Sequence, residues 1–325
     1  MVYYVIRRLL VAIPVLIISS IVVFLLVVFA GDPLGDLKSR PNTPPYVIAA
    51  REHQLWIDRA LPNRYWHWLS NVVTGNFGPS VKGIDVRSDL IRRFEVTMRM
   101  VILAVIVAAV LAIVIGVISA VKQYSFIDYV FTFLGFLFLS MPVFWLAGLL
   151  KEIIALRFNN AVGSNVISTI GDATPDYSGN FLGRVGDYAG HLVLPTMALA
   201  AITYAGWSRY QRASMLDVLD SDYVRLARAK GLRRGTVMRR HALRTALIPT
   251  VTVIALDTGS ILGGAIITEK VFAWHGLGEM LVDSANDVDL NRILAVLMIS
   301  AVFVIVANLV ADVLYAVLDP RIRYA

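Results

Sequence analysis

The sequence predicts an all-α polytopic membrane protein, and two observations support that fold class. Of its 325 residues, 58% are hydrophobic and only 16% are charged, which is too apolar a balance for a soluble domain. Several uncharged runs also approach the roughly 20 residues that a helix needs to cross a bilayer. Because lipid offers no partner to an unpaired backbone group, we expect these runs to form a bundle of hydrogen-bonded helices.

Six runs are predicted as transmembrane helices. Three of them contain no charged residue and are long enough to cross, at residues 9–30, 101–121 and 129–150. Three others are weaker: residues 192–207 form a short run, residues 246–268 contain Asp257, and residues 293–318 contain Asp312. The first run is too long for a signal-peptide core and is expected to remain in the mature protein.

The distribution of charge predicts which side each loop faces. Basic residues flank the spans at Arg7, Arg8 and Lys122, after the fourth span, and at Arg321 and Arg323, whereas residues 269–292 carry five acids against two bases. By the positive-inside rule both termini are cytoplasmic. We therefore expect an N-terminal transmembrane helix at 1–31, an external region at 32–93, a five-span core at 94–318 and a cytoplasmic tail at 319–325.

The most informative stretch is the cytoplasmic segment 209–245 within that core. It carries ten basic and three acidic residues, a balance of 10 − 3 = +7 that equals the net charge of the whole chain. Ser221 or Asp222 is suited to cap a short helix over residues 223–230, and Gly231 stands where a left-handed residue would end it. Eight residues span only about 12 Å, so this helix does not cross the bilayer.

Two interpretations of this short helix are open from its residues alone. Tyr223, Leu226, Ala227 and Lys230 follow helical spacing, so together they could dock into a groove of another protein. Alternatively, the basic residues could only touch lipid phosphates on the cytoplasmic side.

The order of residues favours the first interpretation, because the stretch resembles the cytoplasmic loop of bacterial ABC importer permeases, and most closely that of dipeptide and oligopeptide permease B subunits. The family pattern D-Y-x-R-x-A-R-A-K-G-L is matched from Asp222 to Leu232, and R-H-A-L-R-x-A-L-x-P from Arg240 to Pro249. The wider superfamily usually has Glu-Ala-Ala before the glycine, where this chain has Arg225, Leu226 and Ala227.

The resemblance extends along most of the chain. Family motifs are echoed by Gly31, Asp32 and Pro33, by residues 75–80, by S-x-P-x-F-W at residues 140–145, by residues 262–278 and by the closing stretch 312–323. Asn76 replaces an acid and His275 replaces a proline of the usual pattern. Residues 38–63 and 159–188 have no clear counterpart.

The resemblance implies the type I ABC importer permease fold and a subunit that forms half of a membrane pathway for oligopeptides or dipeptides. It implies a heterodimer with a homologous permease, one or two cytoplasmic ABC ATPases that use ATP and Mg, an extracytoplasmic substrate-binding protein, and a bacterial cytoplasmic membrane. The chain itself would hold no cofactor and no catalytic residue, and it lacks a G-x-x-x-x-G-K-[ST] loop. The predicted ATPase-coupling residues are Asp222, Tyr223, Leu226, Ala227, Arg228, Ala229, Lys230, Gly231 and Leu232.

Inside the membrane, Asp257 is the residue that most needs an explanation, because a carboxylate at mid-span usually faces a cavity or a partner. It is predicted to line the translocation pathway, together with Ser260, Ser140 and Met141. Alternatively, it pairs with a polar group of the second permease or is protonated. Pro142 and Pro249 are each expected to bend their helices.

Two other transport functions are possible from the sequence, and each makes its own demand on the residues. A nickel-chelate permease of the same family would keep the architecture and change the cargo. An ion-coupled secondary transporter should place acids in several spans, and only Asp257 qualifies. The five histidines are scattered, so no metal site is predicted. The external acids Glu279, Asp283, Asp287 and Asp289 could bind a substrate-binding protein or be solvated, and solvation is expected. The external tryptophans are expected to form an interfacial belt or a docking surface.

Overall fold

The computed structural model describes the backbone of residues 2–318 and the side chains of residues 10–311, 313 and 314. Over these residues the secondary structure is helical, without strands. The predicted tail 319–325 and the side chains of Arg7, Arg8 and Asp312 lie outside the described residues. Two compact units divide the chain: residues 1–97 with 275–305, and residues 98–274 with the chain from 306 onward.

Five helical stretches are long and apolar enough to cross a membrane in the described part of the chain. They coincide wholly or in part with α1 (Val2–Ala30), α5 (Val86–Val121), α9 (Phe181–Leu219), α12 (Leu243–Phe272) and α14 (Leu290–Leu318). The run predicted as short, at 192–207, is part of a 39-residue helix. The all-α polytopic fold class is thereby confirmed.

The third predicted span is a bent pair of helices rather than one straight helix. The chain forms α6 (Phe126–Ser140) and then α7 (Val143–Leu149), which continues through a π-helical segment (Leu150–Leu156) into α8 (Arg157–Val162). These two parts meet at 113°, and they make a sixth span only if the bent pair counts as one. The bend predicted at Pro142 is confirmed, since proline lacks an N–H and disfavours helix in the residue before it.

The remaining helices are short. The predicted external region contains α2 (Gly35–Ser39), α3 (Pro45–Gln54) and α4 (Leu61–Val73), and the connection after α12 contains α13 (Leu277–Asn286). Between α9 and α12 the chain forms α10 (Asp222–Ala229), α11 (Arg234–Val237) and a second π-helical segment (Met238–Ala242) that leads directly into α12. In contrast to the break at Pro142, α12 continues through Pro249.

The first unit has an apolar core tied together by buried charges. Phe24, Trp68 and Leu294 belong to one buried cluster. Asp89, in the first turn of α5, accepts a hydrogen bond from Arg292 of α14 at 2.9 Å, and both side chains are almost fully buried. Since each buried charge has its partner, the pair fixes α5 against α14 without leaving a lone ion.

The second unit is built around α9, which packs against α6, α7 and α12. Trp207 is 1% exposed and is one of the largest side chains of the core. Gly116 of α5 approaches α9 so closely that an added Cβ would lie 2.7 Å from the Cβ of Gln211 and 2.8 Å from the carbonyl oxygen of Ser208. Only glycine therefore fits at this helix crossing without a shift.

Candidate functional site

The short helix α10 occupies residues 222–229, close to the predicted 223–230. Gly231 has φ +77°, so the predicted left-handed terminator is confirmed. Ser221 is the N-cap residue, but its hydroxyl donates to the carbonyl oxygen of Val218 at 2.5 Å and does not cap the helix. The start of α10 is thus held to the end of α9.

One face of α10 is buried within its own chain. Val224 is 0% exposed and Ala227 is 6% exposed, and both pack in an apolar cluster. The sequence placed Ala227 with Tyr223 and Leu226 on an outward face, and the structure corrects that placement: Ala227 points inward. The other members of this cluster come from α5, α9 and the start of the α11–α12 run, and they are Ala120, Met215, Val237, Ala242 and Ala246.

The remaining predicted coupling residues, on α10 and just after it, are exposed. Tyr223, Leu226 and Leu232 are 43%, 56% and 41% exposed. The others are Asp222, Arg228, Ala229, Lys230 and Gly231. We define Tyr223, Leu226, Ala229, Lys230 and Leu232 as the coupling face. It combines uncovered apolar groups with positive charge, which suits an amphipathic partner surface.

An ion pair braces the helices beneath α10. Asp128, in the first turn of α6, accepts hydrogen bonds from Arg212 of α9, from Nε at 2.9 Å and from Nη2 at 2.8 Å. The hydroxyl of Ser119 in α5 and the backbone N–H of Tyr124 donate to the same carboxylate. Three helices therefore converge on one buried carboxylate, with the bidentate geometry that makes such pairs strong.

A second polar contact ties α9 to α12 at the same level. Thr250 donates its hydroxyl proton to Oε1 of Gln211 at 2.7 Å, and both side chains are fully buried. The close approach of Gly116 brings α5 against the same glutamine. The helices α5, α9 and α12, which contribute to the apolar cluster beneath α10, are therefore fastened to one another, and Asp128 ties α6 to α5 and α9.

Sequence reasoning missed this brace because each polar residue looks ordinary alone. Ser125 and Asp128 do carry a local signal, since Ser-x-x-Asp before an apolar run is typical of a helix N-terminus. The Ser125 hydroxyl accordingly accepts from the Asp128 N–H at 3.3 Å. Arg212 and Asp128 are 84 positions apart in the chain, so no local sequence pattern predicts their ion pair.

The predicted pathway residues lie in different surroundings. Asp257 accepts a hydrogen bond from Nε1 of Trp207 at 2.9 Å, so it has a partner within its own chain that neither alternative had anticipated. Ser260 is exposed and one turn away. Ser140 and Met141 lie at the 113° bend after α6, the first exposed and the second half-buried.

The external acids are mostly engaged, which corrects the expectation that they are solvated. Burial raises the pKa of Glu279, but Nδ1 of His275 at 2.6 Å and the guanidinium of Arg93 at 3.1 Å outweigh it, so the pKa lies below its usual value. Burial raises the pKa of Asp289, which is 1% exposed and accepts from the N–H of Val81. Asp287 pairs with Lys82 at 2.5 Å.

The external tryptophans also divide. Trp68 is 5% exposed and belongs to the core, whereas Trp66 is 70% exposed. Trp56 stacks on the ring of His67 with centroids 3.6 Å apart. Trp56 remains 36% exposed, so Trp66 is the most exposed of the three and the best placed to act as an interfacial anchor. Within the described residues, no three His, Cys, Asp or Glu side chains are grouped as metal ligands.

Comparison with known families agrees with this architecture. A family model described as a binding-protein-dependent transport system inner membrane component matches residues 112–324. A second model, for the N-terminal part of such membrane components, matches residues 1–83. The chain therefore belongs to the family of binding-protein-dependent transport system inner membrane components.

Individual relatives define the branch within this family. The chain is 41% identical over 321 residues to the oligopeptide transport system permease protein OppB of Mycobacterium tuberculosis, with 98% of each chain covered. It is 38% identical over 329 residues to AppB of Bacillus subtilis, an oligopeptide permease, with 99% of each covered. It is 34% identical over 341 residues to the dipeptide permease DppB of Escherichia coli, covering 100% of this chain and 99% of that one.

These matches confirm the resemblance to ABC importer permeases of the peptide B-subunit type. The chain is a multi-pass membrane transport subunit rather than an enzyme, as its relatives are.

Proposed function

We propose that this chain is one permease subunit of an ATP-driven importer for oligopeptides or dipeptides, and that its coupling face seats a cytoplasmic ABC ATPase. The main support for this proposal is the exposure of apolar side chains on the coupling face. The coupling face leaves Tyr223, Leu226 and Leu232 uncovered, while the other side of α10 is packed onto the ends of the long helices. A partner that moved α10 would therefore move those helices with it.

The proposed assembly pairs this chain with a homologous permease, each subunit forming half of the pathway. ATP and Mg would be held by the ATPase subunits, and cargo would be delivered by an extracytoplasmic binding protein. Both termini and α10 would lie on the cytoplasmic side, as the positive-inside rule indicates. Peptide cargo is supported by the relatives, which are oligopeptide and dipeptide transport system permeases.

The proposed pathway is lined by Ser260, Ser140 and Met141, with Asp257 beside it. Ser140 and Ser260 are exposed in the isolated chain, as a surface facing a second permease and a pathway would be. We propose that the Asp257 carboxylate holds α12 to α9 through Trp207 and presents its remaining lone pairs to the pathway.

Reconstitution tests the cargo. The complete complex, placed in liposomes with its binding protein, should take up labelled dipeptides or oligopeptides when ATP is supplied. Uptake of a nickel chelate without uptake of peptides would replace the peptide proposal by its alternative. Uptake driven by an ion gradient without ATP would overturn the importer class.

A further inference from the structure

The first compact unit contains a cavity of about 510 Å³ that the proposed function does not use. Its volume lies in the range of roughly 300–1,000 Å³ that is typical of small-molecule sites. The stacked rings of Trp56 and His67 form one wall, only 10° from parallel. Other lining residues supply an apolar floor and amide groups, and they include Trp68, Phe77, Asn71 and Asn291.

Arg64 is the only arginine or lysine among the residues that line this cavity, and it has no anionic partner. No ion pair or side-chain hydrogen bond of the described residues includes Arg64, and its Nε is sealed from solvent without an acceptor. The guanidinium lies 5.8 Å from the ring centroid of Phe24. Burial lowers the pKa of Arg64, as expected for a cation that has lost water and gained no counter-charge.

Neither of the nearby acids forms an ion pair with Arg64, and each accepts a backbone hydrogen bond instead. Asp85 lines the cavity, but its carboxylate accepts the N–H of Ser88 at 3.0 Å at the start of α5. Asp289 borders a smaller void next to Arg64. Its two oxygens accept the N–H of Val81 at 2.7 Å and the N–H of Arg292 at 3.2 Å.

The polar wall is already ordered before any ligand arrives. The Asn71 amide and Nε2 of His67 lie 3.0 Å apart, and Asn291 donates to the carbonyl oxygen of Pro79 at 2.8 Å. A fixed wall reduces the entropy lost when a ligand binds. Two buried donors among the lining residues lack an acceptor, Nε of Arg64 and Nε1 of Trp68, and of these only Arg64 carries a charge.

We propose that this cavity binds a carboxylate group, with Arg64 as its main contact. A guanidinium presents two parallel N–H groups that match the two oxygens of a carboxylate. Binding would supply the counter-charge that the fold omits, and the aromatic wall would accept an apolar group beside it. The carboxylate has two possible sources, the C-terminus of a peptide cargo or an acidic side chain of the binding protein, and both rest on the proposed importer function.

The thermal stability of an Arg64 variant distinguishes a binding role of this residue from a structural one. Arg64→Met keeps the length of the side chain and removes a buried charge that lacks a partner, so we expect the thermal midpoint of the complex to stay unchanged or rise. Arg87→Met is the matched control, because Arg87 is exposed and does not line the cavity. A clear fall of the midpoint in Arg64→Met alone would indicate a structural role and contradict the proposal.

The binding experiment uses the full complex in neutral lipid nanodiscs, titrated with the dipeptide Ala-Phe and with its C-terminal amide. In a second arm, association of the binding protein is measured without peptide. We expect Arg64→Met to cause at least a tenfold loss in one arm: either in preference for the free acid over the amide, or in affinity for the binding protein. The arm that responds identifies the source of the carboxylate.

The proposal is overturned if neither arm responds to Arg64→Met, or if Arg87→Met causes the same loss. The affinities of Ala-Phe and its C-terminal amide are also compared on the unmodified complex. This comparison needs no variant, so a folding defect cannot affect it. ATPase association through the coupling face is measured in the same preparations. If the ATPase does not associate with the unmodified complex, the proposed function is wrong. If the ATPase associates but neither binding experiment responds to Arg64→Met, only the carboxylate site is wrong.

Discussion

Arg212 and Asp128 form a bidentate ion pair that joins α9 to the first turn of α6, with both N···O distances below 3 Å. Arg212 precedes the first residue of α10 by ten positions, or roughly 15 Å along a helix. Beneath the coupling face, therefore, the membrane helices are joined by charge as well as by apolar packing. A force applied to α10 would reach α5, α6 and α9 together.

Removing one partner of this ion pair should be costly. Asp128→Asn would leave the Arg212 guanidinium without its counter-charge in a largely buried position, and we expect a loss of about 3 kcal/mol of stability. Asp217→Asn, at an exposed position of α9, should change stability by less than about 0.5 kcal/mol. Thermal midpoints of the purified protein measure both. Equal midpoints for the two variants would show that the pair contributes nothing.

The close crossing at Gly116 makes a second prediction. Gly116→Ala would force its new methyl group against Gln211 and the backbone of Ser208, so we expect destabilisation by about 1–3 kcal/mol. Gly206→Ala is the control, since its Cβ would meet nothing within 4 Å and alanine favours helix by about 0.5–1 kcal/mol. We expect the thermal midpoint to fall in Gly116→Ala and to rise in Gly206→Ala. An unchanged midpoint in Gly116→Ala would refute the tight crossing.

Asp257 offers a test that separates its bond to Trp207 from its charge. Asp257→Asn keeps an oxygen that can accept from Trp207, whereas Asp257→Ala leaves a buried indole N–H unpaired, at a cost of about 1–3 kcal/mol. We therefore expect the thermal midpoint to fall in the alanine variant and to hold in the asparagine variant.

Peptide uptake by the same two variants tests the pathway role. If the carboxylate faces the pathway, Asp257→Asn should transport more slowly although it is stable. If Asp257→Asn takes up peptide as fast as the unmodified protein, Asp257 has no role in the pathway and serves only to join α12 to α9 through Trp207.

Glu279 predicts a pH dependence of stability. Its pKa is lowered in the fold, because the contacts with His275 and Arg93 outweigh the effect of burial. A carboxyl group with a lowered pKa stabilises the fold above its ordinary pKa of 4.5, and this contribution disappears as the pH falls through the folded value. Glu279→Gln should thus be less stable than the unmodified protein at pH 7, by about 1–2 kcal/mol.

Midpoints measured from pH 7 down to pH 3 check this sign. The gap between Glu279→Gln and the unmodified protein should narrow below about pH 4.5. A gap that is constant over the whole range would show that the charge of Glu279 is not involved.

The sequence predicted the features that depend on local composition. Spans appear as uncharged runs, Pro142 marks the bend, and Gly231 ends α10 because a left-handed backbone favours glycine. Tertiary contacts decided the rest. Ala227 fits the helical spacing of Tyr223 and Leu226, yet it points inward because Met215 and Val237 offer it an apolar surface.

Charged residues were the hardest to place from sequence. Glu279 and Asp289 look like solvated loop acids, but Arg93 and the backbone of Val81 reach them from distant positions of the chain. Arg64 is equally inconspicuous in sequence. Its importance depends on the absence of a partner among the described residues, which only a three-dimensional arrangement reveals.

The Leu226→Glu variant tests whether the coupling face seats an ATPase. Leu226 is exposed and is not part of the buried cluster beneath α10, so this variant should fold normally; Ile170→Glu, at another exposed apolar position, is the control. We predict that co-purification of the ATPase and substrate-stimulated ATP hydrolysis fall at least tenfold in Leu226→Glu and stay unchanged in Ile170→Glu. Full ATPase association and hydrolysis with a charged residue at position 226 would show that the ATPase does not bind through the coupling face.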